Sequence, residues 1–350
     1  MLYLVSLYYR NNVHSGANKR FYELGRELSQ LLDRAVKVVV TDGHAPDWAT
    51  ADQVISIRPY ANRFQRVLAS RELAQALDEG QPGTVISDFM PIPFASLKKH
   101  RHCQQIYDLR NFTAFERGGL SFLTAWFQRR QLQRSPEIVT ISRFSKNDIV
   151  HRCGIDPDRI TVSYCGIHRD YLQTGESGER DIDVLYIATF EPRKNHLGLI
   201  EALRLLNRPA RALLIGRDLG TLADCRAAAA KASAAGHVEI EFRESVSEAS
   251  LVDLYSRSRM FVFPSFLEGF GMPLIEAMAR NCRVICSDIP VFREICGESA
   301  RYFDPEHPES IANMINAELN SRESAGRALP LQRFLWDEIA GQLVKDLRLA

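Results

Sequence analysis

Short apolar runs rich in β-branched residues recur along this chain, each separated from the next by a stretch long enough for a helix. That alternation restricts the chain to βα units wound into parallel sheets. In the first half the runs are residues 2–8, 36–41, 84–88, 104–108, 137–141 and 160–163. Between the first two, Phe21, Leu24, Leu28, Leu31 and Leu32 share one helical face, the spacing of a helix packed on a sheet. Residues 173–181, QTGESGERD, carry no periodic apolar residue and read as a linker, which puts a boundary near 168–180. The alternation then restarts at 182–187, 212–215, 238–242, 260–264, 283–286 and 301–303. Two doubly wound α/β domains follow, 1–170 and 171–330. The tail FLWDEIAGQLVKDLRLA is amphipathic through Leu335, Ile339, Leu343 and Leu347, so 331–350 should form a closing helix packed back on the first domain.

A length of 350 residues suits two cores of ordinary size. The net charge of +1 gives no global attraction to nucleic acid. Seven cysteines contain no CxxC pair and no zinc-type Cys/His spacing, so they are expected as reduced thiols. The start, MLYLVSLYYRNN, has no basic leader region and too short an apolar run to span a bilayer. A cytoplasmic chain is expected.

Chemistry is most legible at residues 261–278, FVFPSFLEGFGMPLIEAM. A buried strand ends at Pro264, a glycine-containing loop follows, and a helix begins with Pro273 at its first position. Such a strand–loop–helix turns main-chain N–H groups and a positive helix end toward the carboxyl edge of a parallel sheet, where open α/β sheets bind ligands. Gly269 and Gly271 let the backbone approach a ligand, with Phe270 and Met272 beside them. Glu268 and Glu276, acceptors only when ionised, suit the hydroxyls of a sugar or ribose. The string EGFGMPLIEAM resembles the E-x7-E signature of retaining glycosyltransferases of the GT-B fold, glycosyltransferase family four. The resemblance implies that Glu268 meets the donor sugar and Glu276 the nucleotide ribose.

A second element, IATFEPRKNH at 187–196, follows the first strand of the second domain. Departure of a nucleoside diphosphate develops negative charge that fixed cations stabilise. The string resembles the family's PRKN segment, which implies that Arg193 and Lys194 bind the diphosphate. Many members carry a further Arg near the end of that strand, where this chain has Ala188 and Thr189. Residues 212–218, ALLIGRD, and 241–258, EFRESVSEASLVDLYSRS, also resemble family segments, which brings in Gly216 and Val246 on the donor side. In the first domain, His14-Ser15-Gly16-Ala17 stands where the family has a glycine-rich turn facing the diphosphate, so Gly16 is implied as a backbone contact. Where the family often has His-Asp, this chain has Tyr107-Asp108, leaving Asp108 and Arg110 as acceptor-side candidates, and His168 stands where an acidic residue is common. Asp181-Ile182-Asp183 forms a DxD triplet, but at the entry of a strand beside the linker it reads as coincidence, and no required metal is expected.

Between residues 98 and 146, Lys98, Lys99, Arg101, Arg110, Arg117, Arg129, Arg130, Arg134, Arg143 and Lys146 face only Asp108, Glu116 and Glu137, a local charge of about +7. Phe122, Leu123, Trp126 and Phe127 lie among the arginines, as on an interfacial helix bound to anionic lipid. A packed helix with a solvated basic face is the alternative. No nucleic-acid motif accompanies the patch.

Taken together, the resemblance implies a GT-B chain of two Rossmann-like domains facing across a cleft, acceptor in the first and nucleotide-sugar donor in the second. It implies a retaining, metal-independent hexosyltransferase without cofactor, acting on a glycan or lipid-linked saccharide of bacterial surface polysaccharide or O-antigen. GDP-mannose is the expected donor, with dTDP-rhamnose or a UDP-sugar as alternatives. Peripheral contact with the inner face of the membrane is expected from the basic patch. A noncatalytic scaffold of the same fold that binds sugar nucleotide is the other reading, motivated by Tyr107.

Overall fold

The computed structural model describes residues 1–10, 15–59, 63–88, 99–109, 112, 121–172, 180–234, 236, 238–321 and 329–349. The chain divides into two compact units, Met1–Gly166 with Gln332–Ala350, and Ile167–Leu331.

The first unit runs β1 (Leu2–Val5), α1 (Gly16–Leu31), β2 (Val36–Thr41), β3 (Val54–Ile57), α2 (Arg63–Glu79), β4 (Thr84–Ser87), β5 (Arg101–Ile106), α3 (Ser121–Arg134), β6 (Glu137–Thr140), α4 (Arg143–Cys153) and β7 (Ile160–Val162). These strands form one parallel sheet, ordered β3-β2-β1-β4-β5-β6-β7. β1 pairs with β2 through Leu2 and Val36 and with β4 through Leu2 and Thr84. Strand order therefore reverses between β1 and β4, the switch point at which the loops beyond the two strands part and leave a crevice. Every residue of β1 is buried, as the central strand of a parallel sheet covered on both faces requires.

The second unit repeats the scheme with β8 (Ile182–Ile187), α5 (His196–Arg204), β9 (Ala210–Ile215), α6 (Leu222–Ala234), β10 (Val238–Arg243), α7 (Glu248–Arg257), β11 (Ser258–Phe263), α8 (Met272–Ala279), β12 (Arg283–Ser287), α9 (Pro290–Cys296), β13 (Arg301–Phe303) and α10 (Pro308–Asn320). Its sheet is ordered β10-β9-β8-β11-β12-β13, all parallel, with the switch point between β8 and β11.

The chain then returns to the first unit as α11 (Trp336–Asp346), which packs on α1. Leu335, Ile339, Leu343 and Leu347 are each no more than 5% exposed. Burial of such side chains stabilises by about 1.5–3 kcal/mol apiece. The indole of Trp336 lies against Gly166, where a Cβ would approach the ring to 2.6 Å. All seven cysteines are buried free thiols, and burial pushes Cys103 and Cys282 up to about 12.

Several local expectations are corrected. The strand β3 and the helix α2 were not legible as elements: β3 is an edge strand with Val54 and Ile55 half-buried and Ser56 exposed, so it lacks the apolar run that marks its neighbours. β5 begins at Arg101 and ends at Ile106, so Tyr107 and Asp108 lie just beyond its carboxyl end rather than within it. Leu31 is 52% exposed, because the buried face of α1 passes through Phe21, Leu24 and Leu28 and has turned to solvent by its last residue. α8 begins at Met272, which makes Pro273 its second residue, where a missing N–H is equally harmless.

Candidate functional site

At the switch point of the second sheet, the loop after β8 meets the loop after β11. The first of these turns through one 3-10 turn, Pro192–Lys194, and Asn195 in the left-handed conformation at φ 55° before α5 begins. The Asn195 side chain donates through Nδ2 to the Pro305 carbonyl at 2.8 Å, and Tyr186 donates its phenol to the Lys194 carbonyl at 2.6 Å. These bonds fix the direction in which the basic pair projects.

Lys194 reaches the Glu268 carboxylate at 2.5 Å, and Arg193 approaches the other oxygen of that carboxylate at 3.4 Å. Arg193 also donates to the Leu267 carbonyl at 3.1 Å and to Glu191 at 2.8 Å. Glu191 in turn accepts from the Thr189 hydroxyl at 2.7 Å. Two cations and two carboxylates thus interlock, a neutral cluster in which Glu268 on one loop meets Lys194 and Arg193 on the other, 74 and 75 residues away in sequence. Burial pushes Glu268 up, yet Lys194 and Arg193 outweigh it and hold the carboxyl below its ordinary value. Burial lowers Lys194, which Glu268 only partly offsets. Both groups sit where water is scarce, so a further charge brought to them would be felt strongly.

The loop of β11 continues through Gly269 to Gly271, whose φ of 98° a side chain would strain. A Cβ there would also press on Leu274 and Phe292 at 2.9 Å. Phe270 and Met272 bury their side chains, so this loop can offer a ligand its main chain rather than those side chains. Gly216, after β9, lies flat on the turn after β8: a Cβ would come within 1.8 Å of the Ala188 carbonyl oxygen. Val246 lies half-buried in the loop between β10 and α7, just before Ser247, which caps that helix by accepting from the Ser250 amide at 3.2 Å. Glu276, on α8, is only 5% exposed and accepts from the Tyr255 phenol at 2.9 Å.

In the first unit, Gly16 opens α1 immediately after Ser15, whose hydroxyl accepts from the Asn18 amide at 3.2 Å. Asp108 is half-buried beyond β5. Tyr107 donates to a residue that the sequence did not single out, Asp88 at the end of β4, at 3.0 Å. Asp88 also accepts from the Ser6 hydroxyl after β1, and the buried Arg20 guanidinium contributes a favourable charge. Burial nonetheless pushes the Asp88 carboxyl up to about 6. The group occupies the switch point of the first sheet. His14, Lys98, Arg110, Glu116 and Arg117, and the side chains of Phe122 and Leu123, fall outside the described residues.

Asp181 is engaged by Arg257 at 2.5 Å and Arg211 at 3.3 Å, and Asp183 accepts from the Arg211 amide at 2.9 Å. The DxD triplet therefore anchors strands, and no group of three His, Cys, Asp or Glu able to hold a metal occurs among the described residues. On α3, Trp126 and Phe127 are 55% and 44% exposed, with the Arg130 guanidinium 5.6 Å from the centre of the Trp126 ring. Arg101 is paired with Glu137 at 2.5 Å and Lys146 donates to the Ile160 carbonyl at 2.9 Å, so part of the basic patch serves the fold. Among the described residues no helix is long and apolar enough to cross a membrane.

Two doubly wound parallel sheets, each with its loops gathered at a switch point, define the GT-B glycosyltransferase fold, and solved structures agree. Anabaena HepE in complex with UDP and glucose superposes with a TM-score of 0.76 at 15% identity, covering 99% of each chain. The glycosyltransferase WaaG, involved in lipopolysaccharide biosynthesis, gives 0.70 at 16% identity over 99% of this chain and 95% of its own. Residues 14–171 match the family model described as Glycosyltransferase Family 4, and residues 169–328 the one described as glycosyl transferases group 1. The chain belongs to this glycosyltransferase family. Among curated relatives, O-antigen chain mannosyltransferase B of Escherichia coli is 29% identical over 231 residues, 61% of this chain and 60% of that protein. The serotype-specific mannosyltransferase WbdA of Escherichia coli is 33% identical over 168 residues, 47% of this chain and 20% of that protein. The chain thus spans less than two thirds of the length of these two relatives.

Proposed function

We propose that this protein is a retaining hexosyltransferase that moves mannose from GDP-mannose to a glycan or lipid-linked saccharide in surface polysaccharide assembly. The observation that carries the reading is the Lys194–Glu268–Arg193 cluster at the switch point of the second sheet. Its cations suit a diphosphate leaving group, and the carboxylate they hold suits a sugar hydroxyl. The O-antigen mannosyltransferases among its relatives support mannose; dTDP-rhamnose and UDP-sugars are the competing donors.

In the proposed reaction the acceptor hydroxyl oxygen bonds to the anomeric carbon while the bond from that carbon to the diphosphate breaks. The electron pair leaves with the diphosphate, and a diphosphate oxygen takes the hydroxyl proton. Arg193 and Lys194 stabilise the charge that develops on the leaving group, Glu268 orients the sugar and Glu276 holds the ribose. Gly16, Gly216, Val246 and the main chain of residues 269–272 complete the donor contacts, and Asp108 belongs to the acceptor side. No metal or cofactor is required in this scheme.

Incubating the full chain with radiolabelled GDP-mannose and a polyprenyl-linked oligosaccharide tests it, beside thermal shifts with GDP, UDP and dTDP. Transfer of label is expected, and GDP should raise the melting temperature most. Binding without transfer would favour the scaffold reading, which the tie between Tyr107 and Asp88 supports because it occupies a phenol where the family often has histidine. No nucleotide binding would overturn both.

We also infer that α3 touches anionic lipid, because Trp126 and Phe127 are exposed beside Arg129, Arg130 and Arg134, themselves exposed. The double variant Trp126→Ala, Phe127→Ala should lose most co-sedimentation with phosphatidylglycerol vesicles while keeping its melting temperature. Equal sedimentation of both proteins would discard the contact.

A further inference from the structure

Glu276 does not stand alone in its helix. The Tyr255 phenol, on the neighbouring α7, donates to one of its carboxylate oxygens at 2.9 Å. Tyr255 is fully buried. Its ring lies edge-on to Phe261 with centroids 5.7 Å apart and 6.5 Å from the ring of Tyr171. Tyr171 is itself held by a hydrogen bond of 2.6 Å to Glu248 at the start of α7. Rings on two sides leave the phenol little freedom to turn away. Burial, and then the adjacent Glu276 charge, push the phenol well above its ordinary value, so it remains a donor at any working pH. A buried carboxylate that meets a ligand must already point at it, because reorienting it during binding would cost its hydrogen bonds.

We propose that Tyr255 is a positioning residue for the donor nucleotide: its phenol holds the Glu276 carboxylate in the orientation that accepts ribose hydroxyls, so it sets how strongly ribose is distinguished from a sugar lacking them. This rests on the reading of Glu276 as the ribose contact. Tyr255 thereby governs specificity without touching the substrate.

Calorimetric titration of the full chain with GDP and with 2′,3′-dideoxy-GDP, and in parallel with UDP and 2′,3′-dideoxy-UDP, tests it on the wild type, Tyr255→Phe and Glu276→Gln. Phenylalanine keeps the buried ring and removes only the hydroxyl, and a melting curve checks that each variant folds. The wild type should prefer the ribose form. Tyr255→Phe should weaken that form about tenfold and leave the dideoxy form within about twofold, reproducing the pattern of Glu276→Gln. Donor KM should rise with kcat held, whereas a merely structural role would weaken both nucleotide forms alike. If Glu276→Gln erases the preference but Tyr255→Phe does not, the positioning role is wrong and the ribose contact stands. If Glu276→Gln leaves the preference intact, or neither nucleotide binds the wild type, the underlying reading fails and this inference falls with it.

Discussion

Replacing Lys194 by methionine is expected to lower transfer by about a hundredfold to a thousandfold, the loss typical when one preorganised donor to a developing anion is removed. Methionine preserves length and burial, so the change isolates the charge. Its effect on stability follows from the same geometry. Glu268 would keep Arg193 at 3.4 Å but lose the ammonium at 2.5 Å, leaving a buried carboxylate undercompensated. Breaking a buried pair from one side costs about 3–5 kcal/mol, much of it the penalty of the orphaned charge. Glu268→Gln should show the mirror effect on Lys194, and the double variant should be less destabilised than the two single losses added together. Kinetics measured well below the melting temperature separate the chemical loss from the folding loss. Arg193→Ala combined with Lys194→Ala leaving turnover unchanged would end the proposal that a diphosphate leaves from this cluster.

Asp88→Asn should make the protein more stable at pH 8, and the gain should fade on acidification. The Asp88 carboxyl is pushed up to about 6 by burial, against the partial help of Ser6, Tyr107 and Arg20. In the unfolded chain it titrates at the ordinary carboxylate value of about 3.9. Between those values the native state keeps a proton that the unfolded state has lost, so stability contributed by this group falls as pH rises from about 4 to about 6 and is level above. Relative to pH 4, the wild type at pH 8 carries about 3 kcal/mol of destabilisation that asparagine does not. Urea unfolding of both proteins across this range reads the difference directly. A variant-minus-wild-type difference independent of pH would mean that Asp88 titrates in the folded protein as it does in the unfolded chain.

The pair Asp88 and Tyr107 also shows where sequence reading stops. Tyr107 drew notice because it replaced an expected histidine, but nothing in a linear reading leads from it to a carboxylate 19 residues earlier. The two meet because β4 and β5 are neighbours and end side by side, a consequence of parallel pairing. Tyr255 and Glu276, 21 residues apart, meet by the packing of α7 beside α8. Glu191, a lone glutamate before a basic pair, carries no periodic or motif signal in the sequence. Only the fold shows it accepting from Thr189 and holding Arg193.

Local physics reaches far enough to declare the alternation of buried strands with helices, because two-residue and 3.6-residue periodicities are properties of neighbouring residues. For the same reason the glycine turn at 269–271 and the amphipathic tail through Leu335 and Leu347 were visible from the chain alone. Strand order is not local: that β11 returns to the far side of β8, creating the switch point, depends on which surfaces bury together. So does the neutrality of the cluster, since a basic pair read in isolation carries two positive charges. Packing brought Glu268 across 74 residues to Lys194, because a charge withdrawn from water must find its opposite.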